Sequence, residues 1–146
     1  MSNLSLLESF PNRTLERQYE VEFVCPEFTC LCPRSGFPDF ATIYVRYVPD
    51  QKCVELKSLK LYINGFRNQG VFHEDVTNII IGDLVKLLDP HYIEVFGDFN
   101  IRGNIHTKVI ARHGKGKFES EAKELRTAGF TQGRARQDGT TFPAEI

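Results

Sequence analysis

Two short runs dense in β-branched and aromatic residues, RQYEVEFVC and ATIYVRYV, precede a helical stretch, and two more, HYIEVFGDF and NIHTKVIAR, follow it. That order leaves a chain few folds. In the first run Tyr19, Val21 and Phe23 fall on one side and Glu20 and Glu22 on the other, the alternation of a strand with one wetted face. ATIYVRYV reads as a second strand on β propensity. PDQK after it is a turn signal that makes the pair an antiparallel hairpin, with residues 25–40 as the loop between them. The last two runs are strands around a turn near Arg102-Gly103-Asn104.

Two helices are expected in the middle. In FHEDVTNIIIGDLVKLLDP an apolar stripe runs through Val76, Ile79, Ile80, Leu84, Leu87 and Leu88, acids occupy the first turn, and Pro90 lies just past the end. In VELKSLKLYINGFRNQG, Leu56, Leu59, Lys60 and Ile63 recur at helical spacing, with Gly70 as the stop and Gly65 as an interruption. The predicted class is α+β: a ββααββ unit with an antiparallel four-stranded sheet and two helices on one face. The two outer strands of such a layer are open edges, which a ring of copies would pair. A homo-oligomer is therefore expected.

The sequence of 146 residues fits one domain. An irregular lead-in covers 1–16 and the domain runs to 112. Residues 113–146 read as a polar, Gly-rich, flexible tail with at most a short helix near Phe118–Thr127. Apolar residues make up 41%, and twelve Phe and five Tyr are available to fill a core. A net charge of −1 gives no field for binding nucleic acid. No run approaches the ~18 apolar residues of a membrane span, and the first residues do not have the pattern of a signal peptide. A cytoplasmic location follows, in which Cys25, Cys30, Cys32 and Cys53 are free thiols or metal ligands before they are disulfides.

The stretch TCLCPRSGFPDFATIYV sets a thiol, Cys32, and a carboxylate, Asp39, on one loop stiffened by Pro33, Gly36 and Pro38. A thiol on a short rigid loop is held where a nucleophile has to be, although a cysteine is more often a small buried hydrophobe. Asp39 could return over the turn to move protons near Cys32, or cap the following strand. Cys25, Cys30, Cys32 and His73 are considered as zinc ligands, but C-x₄-C-x-C is not a usual zinc spacing, so no metal is expected. His73, Glu74 and Asp75 open a helix. Asp75 suits the helix dipole, and the Glu74 carboxylate could accept two parallel N–H bonds from a guanine-like edge. Lys57 and Lys60 share a helical face that could meet phosphates or solvent. Neither the Rossmann nor the P-loop glycine pattern is present.

ELKSLKLY, Glu55 to Tyr62, fits at every position the signature of the queuosine-pathway nitrile reductases. CPEFTCLCPRSGFPDFATIYV and FRNQGVFHEDVTNII resemble that family's flanking blocks, in order, so the likeness covers about residues 9 to 105. The resemblance is to the short, single-module NADPH-dependent 7-cyano-7-deazaguanine reductases. It implies the tunnelling fold shared with GTP cyclohydrolase I, with sheets joined into a barrel across subunits, rings of five stacked in pairs, and pockets at subunit boundaries. It also implies roles. Cys32 matches the nucleophile that forms a covalent thioimidate, and Asp39 the proton donor. Val54, Glu55 and Leu56, with His73 and Glu74, match substrate contacts. Leu56 and Lys57, with Arg102 and Gly103, match positions that hold NADPH. The partners implied are a small deazapurine nitrile and further copies of the chain. Two alternatives stay open: a zinc-dependent cyclohydrolase on the same fold, and a non-catalytic purine-binding ring protein.

Overall fold

The computed structural model describes residues 3–124. After one turn of 3₁₀ helix at Leu4–Leu6 come β1 (Ser9–Pro11), β2 (Val21–Leu31), β3 (Pro38–Val48), β4 (Lys52–Val54), α1 (Leu56–Asn64), α2 (His73–Leu88), β5 (Tyr92–Phe99) and β6 (Lys108–Gly114). A second 3₁₀ turn, Gly116–Phe118, leads into α3 (Glu119–Lys123). Four antiparallel strands form the main sheet in the order β2-β3-β5-β6, and β1 pairs with β4 in a small second sheet. The ββααββ order, the antiparallel sheet and the two central helices are as the sequence predicts.

One face of the sheet carries the core. Ala41, Ile43, Val45 and Tyr47 of β3, and Ile93, Val95 and Phe99 of β5, are buried in one cluster with Leu59, Tyr62 and Ile63 of α1 and Val76, Ile80, Leu84 and Leu88 of α2. Both helices therefore lie on the same side. Ile79 and Leu87, expected on the α2 stripe, are only partly buried, at its margins. Leu84 is 0% exposed, so Leu84→Ala should cost about 2–5 kcal/mol through lost transfer energy and a cavity. Leu61→Ala, at a residue 50% exposed, should cost under about 1 kcal/mol. Denaturant titration of the two variants checks the contrast.

Four expectations need correction. The loop assigned to 25–40 is mostly strand: β2 continues to Leu31 and β3 starts at Pro38. The alternation hides this because a bulge falls between Cys25 and Phe28, where β2 advances three residues (25 to 28) while β3 advances two (43 to 41). Pro26, which has no N–H, sits in that bulge on an edge strand, where it is tolerated. PDQK is not the hairpin turn of β2 and β3; Cys32–Phe37 is, and PDQK leads β3 into β4. The lead-in is not wholly irregular, since β1 pairs Phe10 with Cys53. Finally, α1 stops at Gly65, whose N–H donates to Leu61 O at 3.0 Å, and not at Gly70.

At the far end β6 runs to Gly114 and α3 packs against it. The rest of the expected short helix, and the remainder of the tail, lie outside the described residues. No described helix is long and apolar enough to cross a membrane.

Candidate active site

The β2–β3 turn is built around Cys32. Its N–H donates to Phe37 O and its carbonyl accepts from the Gly36 N–H, both at 2.8 Å. Gly36 has φ = 75°, a left-handed conformation that a side chain would strain. The thiol is thus held at the mouth of a closed hairpin, partly exposed. Its pKa is pushed down to about 7, first by the Ser35 hydroxyl and then by the Ser35 and Arg34 amides. The other cysteines of the stretch are different. Burial pushes Cys25 up to about 11, and burial with the nearby Asp39 charge pushes Cys30 up to about 12. Both would be protonated and unreactive near neutral pH. All four cysteines are free.

Asp39 stands opposite Cys30 in the sheet register and is 3% exposed. Two side chains meet its carboxylate: Arg102 Nη1 bonds Oδ1, and His73 Nε2 lies 3.2 Å from Oδ2. The Arg102 pKa is raised, first by its bond to Asp39 and to a lesser degree by the nearby Cys32 thiol. Arg102 reaches Asp39 from the β5–β6 connection, where Gly103 (φ 55°) and Asn104 (φ 70°) turn the chain and Arg102 pairs with Ile105.

His73 is the first residue of α2. The segment before it is tied to the end of β2, with Leu31 N–H donating to Gln69 O and Val71 N–H to Leu31 O at 2.9 and 3.0 Å. The imidazole stacks on Phe99, centroids 3.9 Å apart and planes 9° apart, so its edge is aimed at Asp39. Phe99 can lie there because residue 97 is glycine. A Cβ at Gly97 would sit 2.7 Å from the Phe99 ring and 2.8 Å from Thr77 Oγ1.

One end of the sheet therefore gathers Cys32, Asp39, His73 and Arg102, and Glu74 and Gly103 are adjacent in sequence to two of them. The structure does not bring Val54, Glu55, Leu56 and Lys57 to this end. The Val54 N–H donates to the Tyr47 hydroxyl at 3.1 Å. Tyr47 is eight residues beyond Asp39 on β3 (47 − 39), about 26 Å at 3.3 Å per residue. Glu55 caps α1 instead: its carboxylate oxygens accept from Lys57 N–H at 2.9 Å and Ser58 N–H at 2.7 Å. Those amides hold its carboxyl below the usual range. Leu56 is 62% exposed.

As a cofactor site, the pieces fit a dinucleotide in kind. Arg102, with 40% of its side chain exposed, and Lys57 are cations able to meet phosphate. In a single copy they belong to different elements, Arg102 to the β5–β6 connection and Lys57 to α1. Among the described residues no group of three or more His, Cys, Asp or Glu side chains is arranged to hold a metal. Sequence reasoning did not find Ser35, Phe99, or the Arg102 bond to Asp39. Only the Ser35 contact left a signal, a hydroxyl three residues after the thiol, the spacing at which a cap meets its turn.

The geometry can be set beside known proteins. A family model described as "QueF-like protein" matches residues 38–118, which takes in Asp39, His73 and Arg102 and begins just after the Cys32 turn. The protein from Anaeromyxobacter sp. (strain K) named NADPH-dependent 7-cyano-7-deazaguanine reductase is 62% identical over 109 residues, covering 75% of this chain and 89% of that protein. Its namesake from Bacillus subtilis (strain 168) is 57% identical over 120 residues, covering 81% and 73%. The one from Neisseria meningitidis serogroup A is 58% identical over 117 residues, covering 80% and 74%. Among solved structures, the apo archaeosine synthase QueF-Like superposes with a TM-score of 0.59 at 17% identity, over 68% of this chain and 95% of that one, a likeness of fold. The chain belongs to the QueF-like family of proteins.

Proposed function

We propose that the protein reduces the nitrile of 7-cyano-7-deazaguanine to the primary amine of 7-aminomethyl-7-deazaguanine with two NADPH, in the cytoplasmic biosynthesis of queuosine for tRNA modification. The observation that carries this reading is the meeting of a thiol poised near neutrality with a buried carboxylate, in a chain 62% identical to a protein bearing the reductase's name. A nitrile carbon is a weak electrophile, and thiolate is a soft, strong nucleophile. Cys32 Sγ adds to that carbon, one C–N π bond breaks, and the nitrogen takes a proton, leaving a thioimidate. NADPH, when bound, supplies a hydride to this carbon in each of the two reductions. Sulfur leaves with its bonding pair after the first, returning Cys32. The net change is nitrile + 2 NADPH + 2 H⁺ to amine + 2 NADP⁺.

Asp39 supplies the protons to nitrogen. It is closed off from water, and His73, with 19% of its side chain exposed and Nε2 on Asp39, is the route by which protons reach it. His73 and Glu74 anchor the base, with Glu74 bonding its amino and ring N–H edge.

The separation of the two halves of the site supports assembly at subunit boundaries. β2 and β6 are the outer strands of the sheet. Joining them between copies would close the sheet into a barrel. It would also bring Val54, Glu55, Leu56 and Lys57 of one subunit to the Cys32 end of the next. Substrate would then lie against Val54–Leu56, and the cofactor against Leu56, Lys57, Arg102 and Gly103. Two stacked rings of five are the assembly proposed, each copy a single domain that extends past residue 112 to take in the end of β6 and α3. No nucleic acid contact is part of this reading.

The test is intact mass after incubation with the nitrile base and no reductant. A gain equal to the whole base is expected, lost on adding NADPH, with two NADPH oxidised per amine formed. A protein that neither gains mass nor oxidises NADPH overturns the reading.

A further inference from the structure

The ion pair of Arg102 and Asp39 joins groups in unlike surroundings. The guanidinium keeps 40% of its side chain exposed and the carboxylate 4%. Arginine carries only N–H donors, so Asp39 Oδ1 accepts from Arg102 Nη1. An acid in an ion pair is a carboxylate and has no proton to give. The role proposed for Asp39, proton donor to nitrogen, needs the pair opened. The buried partner is fixed in the β2–β3 ladder, opposite Cys30. The backbone under Arg102 is fixed as well, with the Asn100 N–H donating to Phe40 O at 2.8 Å and Arg102 bridged to Ile105. Its guanidinium, open to solvent, is the group a ligand can reach.

We propose that Arg102 is a latch on the acid: closed on Asp39 it keeps that group a carboxylate, and a cofactor phosphate draws the guanidinium away, so that Asp39 takes up its proton only when a hydride source is in place. The latch rests on the proposed reductase reading, which gives Arg102 to NADPH. A guanidinium free of Asp39 binds phosphate better than one already neutralised by it, so binding shifts the pair toward the open form. Once Arg102 has left, Asp39 would be an unpaired charge in a place closed off from water. Such a charge is costly, and taking up a proton removes the cost. His73, with Nε2 3.2 Å from Oδ2 and its ring stacked on Phe99, stands where that proton enters. Arg102 is thus a positioning residue that acts through Asp39.

Arg102 could instead brace Asp39 permanently, as a structural pair. The two roles separate on proton uptake. Besides Arg102, the titratable groups around the carboxylate are His73 from α2, Cys30 opposite it on β2 and Cys32 in the turn. The experiment is calorimetric titration of the full-length protein with NADP⁺, which has the phosphates but no hydride to give, at neutral pH in buffers of low and high ionisation enthalpy. The dependence of the heat on the buffer counts the protons taken up. The wild type should take up about half a proton or more per site on binding. Asp39→Asn should lose that uptake; His73, Cys30 and Cys32 remain in this variant, so uptake by any of them would survive it. Arg102→Met, already unlatched, should bind NADP⁺ about tenfold more weakly and take up no proton as it binds. A wild type that binds NADP⁺ without proton uptake, or uptake equal to that of Asp39→Asn, makes Arg102 a structural brace and overturns the latch alone. A protein that does not bind NADP⁺ overturns both the latch and the reductase reading. Uptake lost in Asp39→Asn, in a protein that forms no adduct with the nitrile base, would uphold the latch and overturn the reductase reading.

Discussion

Cys32→Ala eliminates the mass adduct with the nitrile base and lowers turnover by at least about a thousandfold, the expected result of removing a group on which every later step depends. The fold should not change. Cys32 is partly exposed at a turn held by backbone bonds that alanine also makes, so stability should stay within about 0.5 kcal/mol. The measurements are NADPH absorbance during turnover, intact mass without reductant, and a denaturation curve. A folded alanine variant that keeps a tenth of wild-type turnover would remove the thiol from the mechanism. Adduct formation in the wild type should also rise with pH through about 7, because the thiolate attacks and its pKa is held there by the Ser35 hydroxyl and the neighbouring amides.

Asp39→Asn carries the second large effect and acts at a different step. Asparagine has the same shape and still offers one acceptor to Arg102 or His73, but it cannot deliver a proton. Loss of a positioned proton donor typically costs about 10²–10⁴ in rate. Substrate affinity should change by less than about tenfold, because the anchoring groups assigned to the base are His73 and Glu74. Single-turnover NADPH oxidation beside a binding isotherm separates the two. An unchanged rate would take Asp39 out of the chemistry and leave it as the structural partner of Arg102. A lost affinity with an unchanged rate would make it a binding residue.

The two variants probe residues with different histories in the sequence. Cys32 and Asp39 stand seven positions apart in one quoted stretch, and the resemblance assigned a role to each. Their environments were not visible there. The stretch reads as a loop only because Pro26 and the extra residue of the bulge interrupt the alternation of β2. Paired strands then turn a loose loop into a six-residue hairpin mouth, Cys32–Phe37, and bury Asp39 to 3%. Arg102, read as a cofactor position, lies against the acid, with the nucleophile nearby; nothing local to Arg102 could say so, since sixty-three residues separate it from Asp39.

The amino-acid order alone determined what depends on near neighbours. Periodicity marked the strands and the helices, the run of strand pairs around two helices set the layer architecture, and an eight-residue signature with its flanking blocks pointed to the family. What depends on groups distant along the chain was decided only by the tertiary structure: the register that faces Asp39 with Cys30, the Phe99 ring under His73 that glycine at 97 leaves room for, and the bond that holds Val54 to Tyr47, eight residues along β3 from Asp39. The physical reason is that side-chain periodicity is a property of a few consecutive residues, whereas a charge, a thiol and a ring acquire their chemistry from whatever the folded backbone sets against them.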